Sequence, residues 1–370
     1  MRWSYKLGTF AGIGVFIHAT FLILIGWVAL SHWLMARTPE AVMTGVAFTL
    51  AIFLCVVLHE YGHALTARRY GIKTRDITLL PIGGVARLER MPDKPQQELW
   101  VALAGPAVNL AIAGALFVWL SVSGSWSPLR ELGMTTGPFL ERLMMVNLFL
   151  VGFNMLPAFP MDGGRVLRAL LAQRMEYTRA TQIAAGLGQG MALLFGFAGL
   201  FYNPFLLFIA FFVWIGAAQE AGMAQMKSAL AGVPVARAMV TDFRSLQAAD
   251  PLTRAVEAVL RGAQTDFPVM EGERIVGVLT RSDLLKALAE HHENFRVIDA
   301  MTREFIILDE HEMIDGAFQR MQQSQVSTAH VTRFGRMVGI LTPENVGELM
   351  MIQAAMEAAR AKLKFARSAA

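Results

Sequence analysis

Two histidines four residues apart, with a glutamate beside the first, form the segment of this chain best suited to chemistry: His59, Glu60 and His63. On a helix, residues four apart project from the same face, so both imidazoles can bind one metal ion. The adjacent glutamate can then reach a water molecule bound to that metal. The pattern indicates a zinc site with a proton acceptor next to it.

The position of this motif strengthens the indication. An apolar run from Val42 to Leu58 precedes it, so the motif lies where a membrane-spanning helix is expected. Ionisable groups inside such a helix are costly and usually mark function. A surface helix with solvated histidines is the alternative, but the apolar run directly before the motif makes it a poor fit.

A catalytic zinc site commonly has a third protein ligand and leaves one position for water. The segment 154–164 supplies a candidate, because two prolines and two glycines interrupt a helix there around one carboxylate, Asp162. Broken backbone at membrane depth is tolerated only when protein buries it or when it lines a watery cavity. The alternative is a loop leaving the bilayer, with Asp162 solvated beside Arg165.

Composition indicates a membrane part joined to a soluble part. The chain is 55% hydrophobic and 17% charged, with a mean hydropathy of +0.44, which is too apolar for an ordinary soluble domain. Apolar runs of about 20 residues predict about six transmembrane helices. These are residues 10–31, 41–66, 99–121, 139–158, 184–201 and 203–220, the last two forming a hairpin around Pro204.

Basic residues predict the orientation of these helices. They cluster before the first predicted span, after the second and after the fourth, so the positive-inside rule places both termini in the cytoplasm. The metal site is then expected in the cytoplasmic half of the membrane. The net charge of +4 is explained by these clusters beside apolar segments, where anionic lipid headgroups are the expected partner and nucleic acid is not.

At this point the chain resembles the site-2 protease family of intramembrane zinc metalloproteases. Three motifs carry the resemblance: His59-Glu60-x-x-His63, Gly105-Pro106-x-x-Asn109, and the segment from Asn154-x-x-Pro157 to Asp162-Gly163. The resemblance implies that His59, His63 and Asp162 bind Zn²⁺, that Glu60 is the catalytic base, and that Asn154 is catalytic beside the scissile carbonyl. A structural hydrogen bond within the broken helix is the alternative for Asn154, and bonding between helices is the expectation for Asn109.

The loop 71–91 predicts two short strands around a Gly-Gly turn. An exposed strand edge can hold an extended substrate segment by main-chain hydrogen bonds, and the resemblance implies such a sheet near the site. A plain cytoplasmic hairpin is the alternative.

After residues 231–234 the sequence becomes charged and contains an internal repeat with an offset of 62 positions. The repeat resembles a tandem pair of cystathionine-β-synthase (CBS) domains, which often bind adenine nucleotides such as ATP or AMP. Thr280 and Asp283 match the ribose-contacting pattern of that family, whereas Asn345 replaces the aspartate in the second copy. A simple helix N-cap is the alternative for Thr280 and Asp283.

The predicted fold is an α-helical polytopic membrane domain with a small β element, followed by an α/β tandem CBS domain. Its expected divisions are residues 1–230, a CBS pair at 231–350 split into 231–292 and 293–350, and a basic helical tail at 351–370. The predicted protein is a multi-pass protease of the cell membrane that cuts transmembrane protein substrates. For the CBS pair we expect regulation of access to the membrane site by ATP or AMP, and a fixed module for dimerisation or substrate docking is the alternative. The alternative is a CBS-regulated ion channel or transporter that uses the His, Glu and Asp side chains as an ion path.

Overall fold

The computed structural model describes residues 3–92, 94–124, 137–262, 264–290, 295–324 and 326–368. The chain divides into two compact units, Met1–Ala224 and Gln225–Ala370. This division lies a few residues before the domain boundary predicted at 230. The predicted boundary inside the repeat, at 292, falls outside the described residues.

Helices make up most of the first unit. Their bounds are α1 Ala19–Ala36, α2 Pro39–Arg69, α3 Pro95–Ser123, α4 Phe139–Asn154, α5 Asp162–Ala172, α6 Tyr177–Phe201 and α7 Phe205–Leu230.

Five of these described helices are long and apolar enough to cross a membrane: α1, α2, α3, α6 and α7. Helix α4 corresponds to the fourth predicted span but has only 16 residues, or about 24 Å, which is shorter than a hydrocarbon core of about 30 Å. It ends at Asn154 because the prolines that follow disfavour further helix. The predicted hairpin is confirmed, since α6 and α7 are separated only by residues 202–204.

The first predicted span, 10–31, is wrong in its first half. Strands β1 (Ser4–Phe10) and β2 (Ile13–His18) occupy the N-terminal region, and α1 begins only at Ala19. Ala11 and Gly12 connect the strands with positive φ angles of 50° and 81°, as a tight two-residue hairpin turn requires. Short apolar runs do not distinguish a strand from a helix.

The predicted strands of the loop 71–91 are present as β3 (Thr74–Leu80) and β4 (Gly83–Leu88). The predicted Gly-Gly turn is wrong, because Pro81 and Ile82 form the turn and the two glycines pair with the end of β3. They join the N-terminal hairpin in one sheet of order β1-β2-β3-β4, in which β2 and β3 are parallel. The sheet packs against α2 through Ile77, which lies in a buried cluster with Ala64. Strand β4 is the edge strand on the side of the histidines.

The second unit repeats one motif. The first copy contains β5 Leu246–Gln247, α8 Leu252–Leu260, β6 Phe267–Glu271, β7 Arg274–Leu279 and α9 Arg281–Glu290. The second contains α10 Val297–Ala300, β8 Ile306–Asp309, α11 Ile314–Ser324, β9 Ala329–Arg333, β10 Arg336–Leu341 and α12 Pro343–Ser368. Each copy has a three-stranded sheet with one parallel and one antiparallel pairing. The predicted helical tail is the continuation of α12.

The two copies depend on each other through the glycine that the repeat conserves. A Cβ atom at Gly277 would lie 2.8 Å from the Thr302 carbonyl oxygen, and one at Gly339 would lie 2.9 Å from the Val240 oxygen. Val240 forms a β-bridge to β10 and Thr302 forms one to β7. A segment on the N-terminal side of the sheet in each copy therefore pairs with the last strand of the other copy, which explains why the motif occurs as a pair.

Candidate metal centre

Helix α2 brings the histidine pair together as its periodicity predicts. The rings of His59 and His63 are 4.8 Å apart between centroids, and their Nε2 atoms are separated by 3.1 Å. Both residues are buried, with exposed fractions of 6% and 4%. One face of α2 therefore presents two nitrogen atoms to a single point.

Asp162 reaches the same point from the first residue of α5. Its Oδ2 atom is 3.2 Å from His59 Nε2 and 3.2 Å from His63 Nε2, and the residue is 5% exposed. The segment before α5 turns closely around two glycines. A Cβ atom at Gly163 would lie 2.3 Å from the Leu156 carbonyl oxygen, and one at Gly164 would lie 2.7 Å from Ala158 C.

The three atoms have the spacing that zinc requires. Tetrahedral Zn²⁺ with ligands at about 2.0–2.1 Å places them about 3.3 Å from one another, and the observed separations are 3.1–3.2 Å. Two imidazole nitrogens and one carboxylate oxygen form a normal donor set for a catalytic zinc ion. Among the described residues, this is the group of His, Cys, Asp and Glu side chains arranged to hold a metal.

A chain of hydrogen bonds fixes the tautomer of His59. The Leu143 carbonyl can only accept, so it orients the Asn147 amide, whose nitrogen donates to it at 2.8 Å. The Asn109 nitrogen donates to Asn147 Oδ1 at 2.8 Å, which leaves Asn109 Oδ1 to accept from His59 Nδ1 at 2.5 Å. With the proton on Nδ1, the Nε2 lone pair is directed to the shared point.

The second histidine is fixed by the main chain. His63 Nδ1 is 2.7 Å from the Val101 carbonyl oxygen of α3, which can only accept. Its Nε2 atom is therefore also unprotonated and available to a metal. Sequence reasoning predicted that Asn109 bonds between helices, but it did not identify Asn147 or Val101. No side-chain signal marks Val101, because its carbonyl oxygen makes the contact.

Helix α3 can approach the histidines because two glycines lie at the crossing. A Cβ atom at Gly105 would lie 2.3 Å from His63 Nε2 and 2.6 Å from His59 Nε2. On α2, a Cβ atom at Gly62 would lie 2.6 Å from the Ala104 carbonyl oxygen. The glycine of the Gly105-Pro106 pair therefore provides the space in which the two nitrogen atoms lie.

Glu60 faces the sheet. Its Oε2 atom accepts a hydrogen bond from the Ala86 main-chain N–H of β4 at 3.1 Å, and a Cβ atom at Gly84 would lie 2.9 Å from Glu60 Cγ. The edge strand thus lies directly beside the candidate base. The β element predicted near the site is there, and its edge strand β4 is next to the carboxylate.

Asn154 lies at the end of α4 and is half-buried. Its amide nitrogen donates to the Leu150 carbonyl oxygen one turn earlier, at 3.0 Å. This is the structural hydrogen bond that the sequence left open as the alternative. The catalytic role of Asn154 stays a prediction.

In the second unit, Thr280 and Asp283 form a reciprocal cap at the start of α9. The Thr280 hydroxyl donates to Asp283 Oδ2 at 2.7 Å, and the Asp283 N–H donates to Thr280 Oγ1 at 3.1 Å. Thr342 and Asn345 form the same cap at the start of α12. In addition, the Thr302 hydroxyl donates to Asp283 Oδ2 at 3.1 Å. The helix-cap alternative accounts for the contacts within each pair, and nucleotide binding at Thr280 and Asp283 stays a prediction.

Comparison with known families agrees with this organisation. Residues 47–136 and 130–196 match peptidase family M50, and residues 235–290 and 297–350 match the CBS domain. The first match contains the histidine motif, Asp162 and the two helices between them, α3 and α4. The second match covers both copies of the repeat.

Three relatives illustrate the similarity. A zinc metalloprotease of Methanocaldococcus jannaschii is 30% identical over 354 residues, which cover 95% of this chain and 97% of that protein. The stage IV sporulation protein FB of Bacillus subtilis is 29% identical over 156 residues, covering 42% of this chain and 51% of that protein. The solved structure of the site-2 protease from M. jannaschii shares 38% identity, covers 59% of this chain and 95% of that one, and has a TM-score of 0.44.

Proposed function

The chain belongs to peptidase family M50 and is a zinc metalloendopeptidase of the site-2 protease type, and we propose that it hydrolyses peptide bonds in or near transmembrane segments. One observation carries the proposal. His59 Nε2, His63 Nε2 and Asp162 Oδ2 lie within 3.2 Å of one another, and the two histidines belong to a helix apolar enough to span a membrane. Membership of a peptidase family favours the protease over the alternative of an ion channel or transporter.

His59, His63 and Asp162 would hold the zinc ion, whose chemistry is to lower the pKa of a bound water and polarise a carbonyl oxygen. Glu60 accepts the proton as the water oxygen adds to the peptide carbonyl carbon, and it returns that proton to the amine nitrogen as the C–N bond breaks. Asn109 and Val101 keep both histidines in the required tautomer. All three ligand residues are buried.

The edge of β4 would bind the substrate. A helical membrane segment must become extended before its peptide bond can be attacked, and an extended segment can pair with an unpaired strand edge. The hydrogen bond from Ala86 N–H to Glu60 supports this role, because it places that edge beside the base. The substrate class that follows is a membrane-anchored protein with a span that unwinds locally. By family resemblance, these substrates would include membrane-bound regulators and remnants of signal peptides.

The protein is a membrane protein, and the proposed orientation has both termini and the CBS pair in the cytoplasm. The basic residues that follow α2 support it through the positive-inside rule. The CBS pair would bind one adenine nucleotide, ATP or AMP, at Thr280 and Asp283 and would support self-association. The match of residues 235–290 to the CBS family supports the nucleotide proposal.

The test is cleavage of a single-span protein, with glycine and proline in its span, in liposomes containing the purified peptidase. The wild type with Zn²⁺ should give two fragments whose new termini map by mass spectrometry to the span or its edge. Glu60→Gln should retain zinc and lose activity by a factor of about 10² or more, and a chelator should abolish wild-type cleavage. Equal cleavage by wild type and Glu60→Gln would refute the mechanism.

A further inference from the structure

A second cluster of charged side chains lies buried in the first unit, away from the zinc ligands. Arg168 is 2% exposed and Glu98 is 1% exposed. Arg168 Nε donates to Glu98 Oε1 at 2.7 Å, and Arg168 Nη1 donates to Glu220 Oε2 at 2.7 Å. The Glu220 side chain is 18% exposed, so this cluster is largely removed from water.

Aromatic rings also enclose the guanidinium group. The Arg168 Cζ atom lies 4.9 Å from the centroid of the Phe159 ring and 5.1 Å from that of the Tyr177 ring. A planar guanidinium held by two carboxylates and two rings has little freedom to move. Its five N–H groups have a fixed geometry, so a lysine in its place could not make the same contacts.

The three charged residues connect the elements that form the metal site. Arg168 belongs to α5, which begins with Asp162; Glu98 belongs to α3, which carries Val101, Gly105 and Asn109. Glu220 belongs to α7. Arg168 lies six positions after Asp162, or about 9 Å along the helix. A rotation or shift of α5 at Arg168 would therefore displace the carboxylate that faces the histidines.

Stability alone is a weak explanation for such a cluster. Apolar residues of similar volume often stabilise a buried position as well as an ion pair does, whereas charged groups can select one arrangement among several. A metal site needs that selectivity, because ligand distances must hold within about 0.2 Å. Helix α5 has only 11 residues and follows an irregular segment, so its own backbone does not determine its position.

We propose that Arg168 is a positioning residue for the metal centre. Its contacts to Glu98 and Glu220 hold α5 against α3 and α7, and they thereby place Asp162 Oδ2 between the two histidine nitrogens. This inference rests on the proposed function in one respect, namely that His59, His63 and Asp162 hold the zinc. It assigns Arg168 no contact with substrate.

The test is the zinc affinity of the full chain in detergent, measured by competition with a chromophoric chelator. Arg168→Met should bind zinc about 10-fold more weakly than wild type, at the lower end of the range of about 10- to 100-fold for direct hydrogen-bond partners of a ligand, because Arg168 acts through the position of α5. Cleavage by this variant should return to near the wild-type rate when zinc is saturating. The zinc affinity of Arg168→Lys should lie between those of wild type and Arg168→Met. Arg174 is exposed just after α5, so Arg174→Met should bind zinc as tightly as wild type.

A double-mutant cycle separates positioning of Asp162 from a general structural role. In an Asp162→Ala background, Arg168→Met should cause no further loss of zinc affinity, because the ligand on which it acts is already missing. The same fold-loss in both backgrounds, or an unchanged affinity in the single variant, would overturn the inference. If Arg168→Met does not fold, as judged by the lack of a cooperative unfolding transition, Glu220→Gln allows the same comparison. The expected loss of zinc affinity is then smaller.

The proposed function and this inference fail in different ways. A wild-type protein that neither binds zinc nor cleaves a membrane substrate would contradict the proposed function. A wild-type protein that does both, with zinc affinity independent of Arg168, would contradict only the positioning role.

Discussion

Gly105 offers the sharpest test of the metal site, because adding one methyl group there should disturb only the ligands. A Cβ atom would lie 2.3 Å from His63 Nε2 and 2.6 Å from His59 Nε2, whereas ordinary contacts begin at 3.4 Å. Relief of the closer contact requires a movement of about 1 Å, several times the tolerance of about 0.2 Å for a metal–ligand distance. Gly105→Ala should therefore lose zinc.

The matched control is Gly114→Ala on the same helix, where a Cβ atom would meet nothing within 4 Å. Both substitutions raise helix propensity by about 1 kcal/mol per residue, so both proteins should retain α3. Zinc content after gel filtration, measured by mass spectrometry, should stay near one per chain for wild type and Gly114→Ala.

For Gly105→Ala, zinc content should fall to a small fraction of one per chain, and cleavage of a single-span substrate should decrease at least 100-fold. Circular dichroism should show helix content like that of the control. Wild-type zinc content and activity in Gly105→Ala would refute the close approach of α3 to the two histidines. Loss of zinc in both variants would show that the effect is not specific to the crossing.

Three further outcomes are expected. Asn109→Ala should weaken zinc binding about 10- to 100-fold, because His59 loses its acceptor, and unchanged affinity would contradict the tautomer argument. His330 in β9 is 0% exposed, and burial lowers its pKa from 6.5 to about 4; the unfolded chain therefore binds a proton first as pH falls. The free energy of unfolding of the CBS pair should therefore be highest above pH 6.5 and should fall by about 3 kcal/mol as the pH decreases towards 4. Chemical denaturation of His330→Leu should show a weaker dependence of this free energy on pH. Asp283→Ala should abolish AMP or ATP binding to the full chain by calorimetry, and wild-type protein that binds neither nucleotide would leave only the capping role for Thr280 and Asp283.

Sequence periodicity is sufficient to predict the structure wherever the contacts are local. His59 and His63 lie on one face because a helix repeats every 3.6 residues, and the paired CBS motifs follow from an offset that repeats turns, strands and helices in order. Helix α2 and the hairpin of α6 and α7 were likewise predictable from length and apolar composition. The N-terminal strands were not, because a short apolar run is compatible with both a helix and a strand.

The sequence by itself determined the kind of chemistry: two imidazoles and a neighbouring carboxylate on one helical face, close to a break that carries a second carboxylate. Only the tertiary structure decided how these groups are held. Asp162 is 103 positions from His59, and the contacts that orient the ligands come from the Val101 carbonyl, Asn109 and the space at Gly105. These depend on the packing of α3 and α5 against α2, and packing between distant segments leaves no periodic signal in a single sequence.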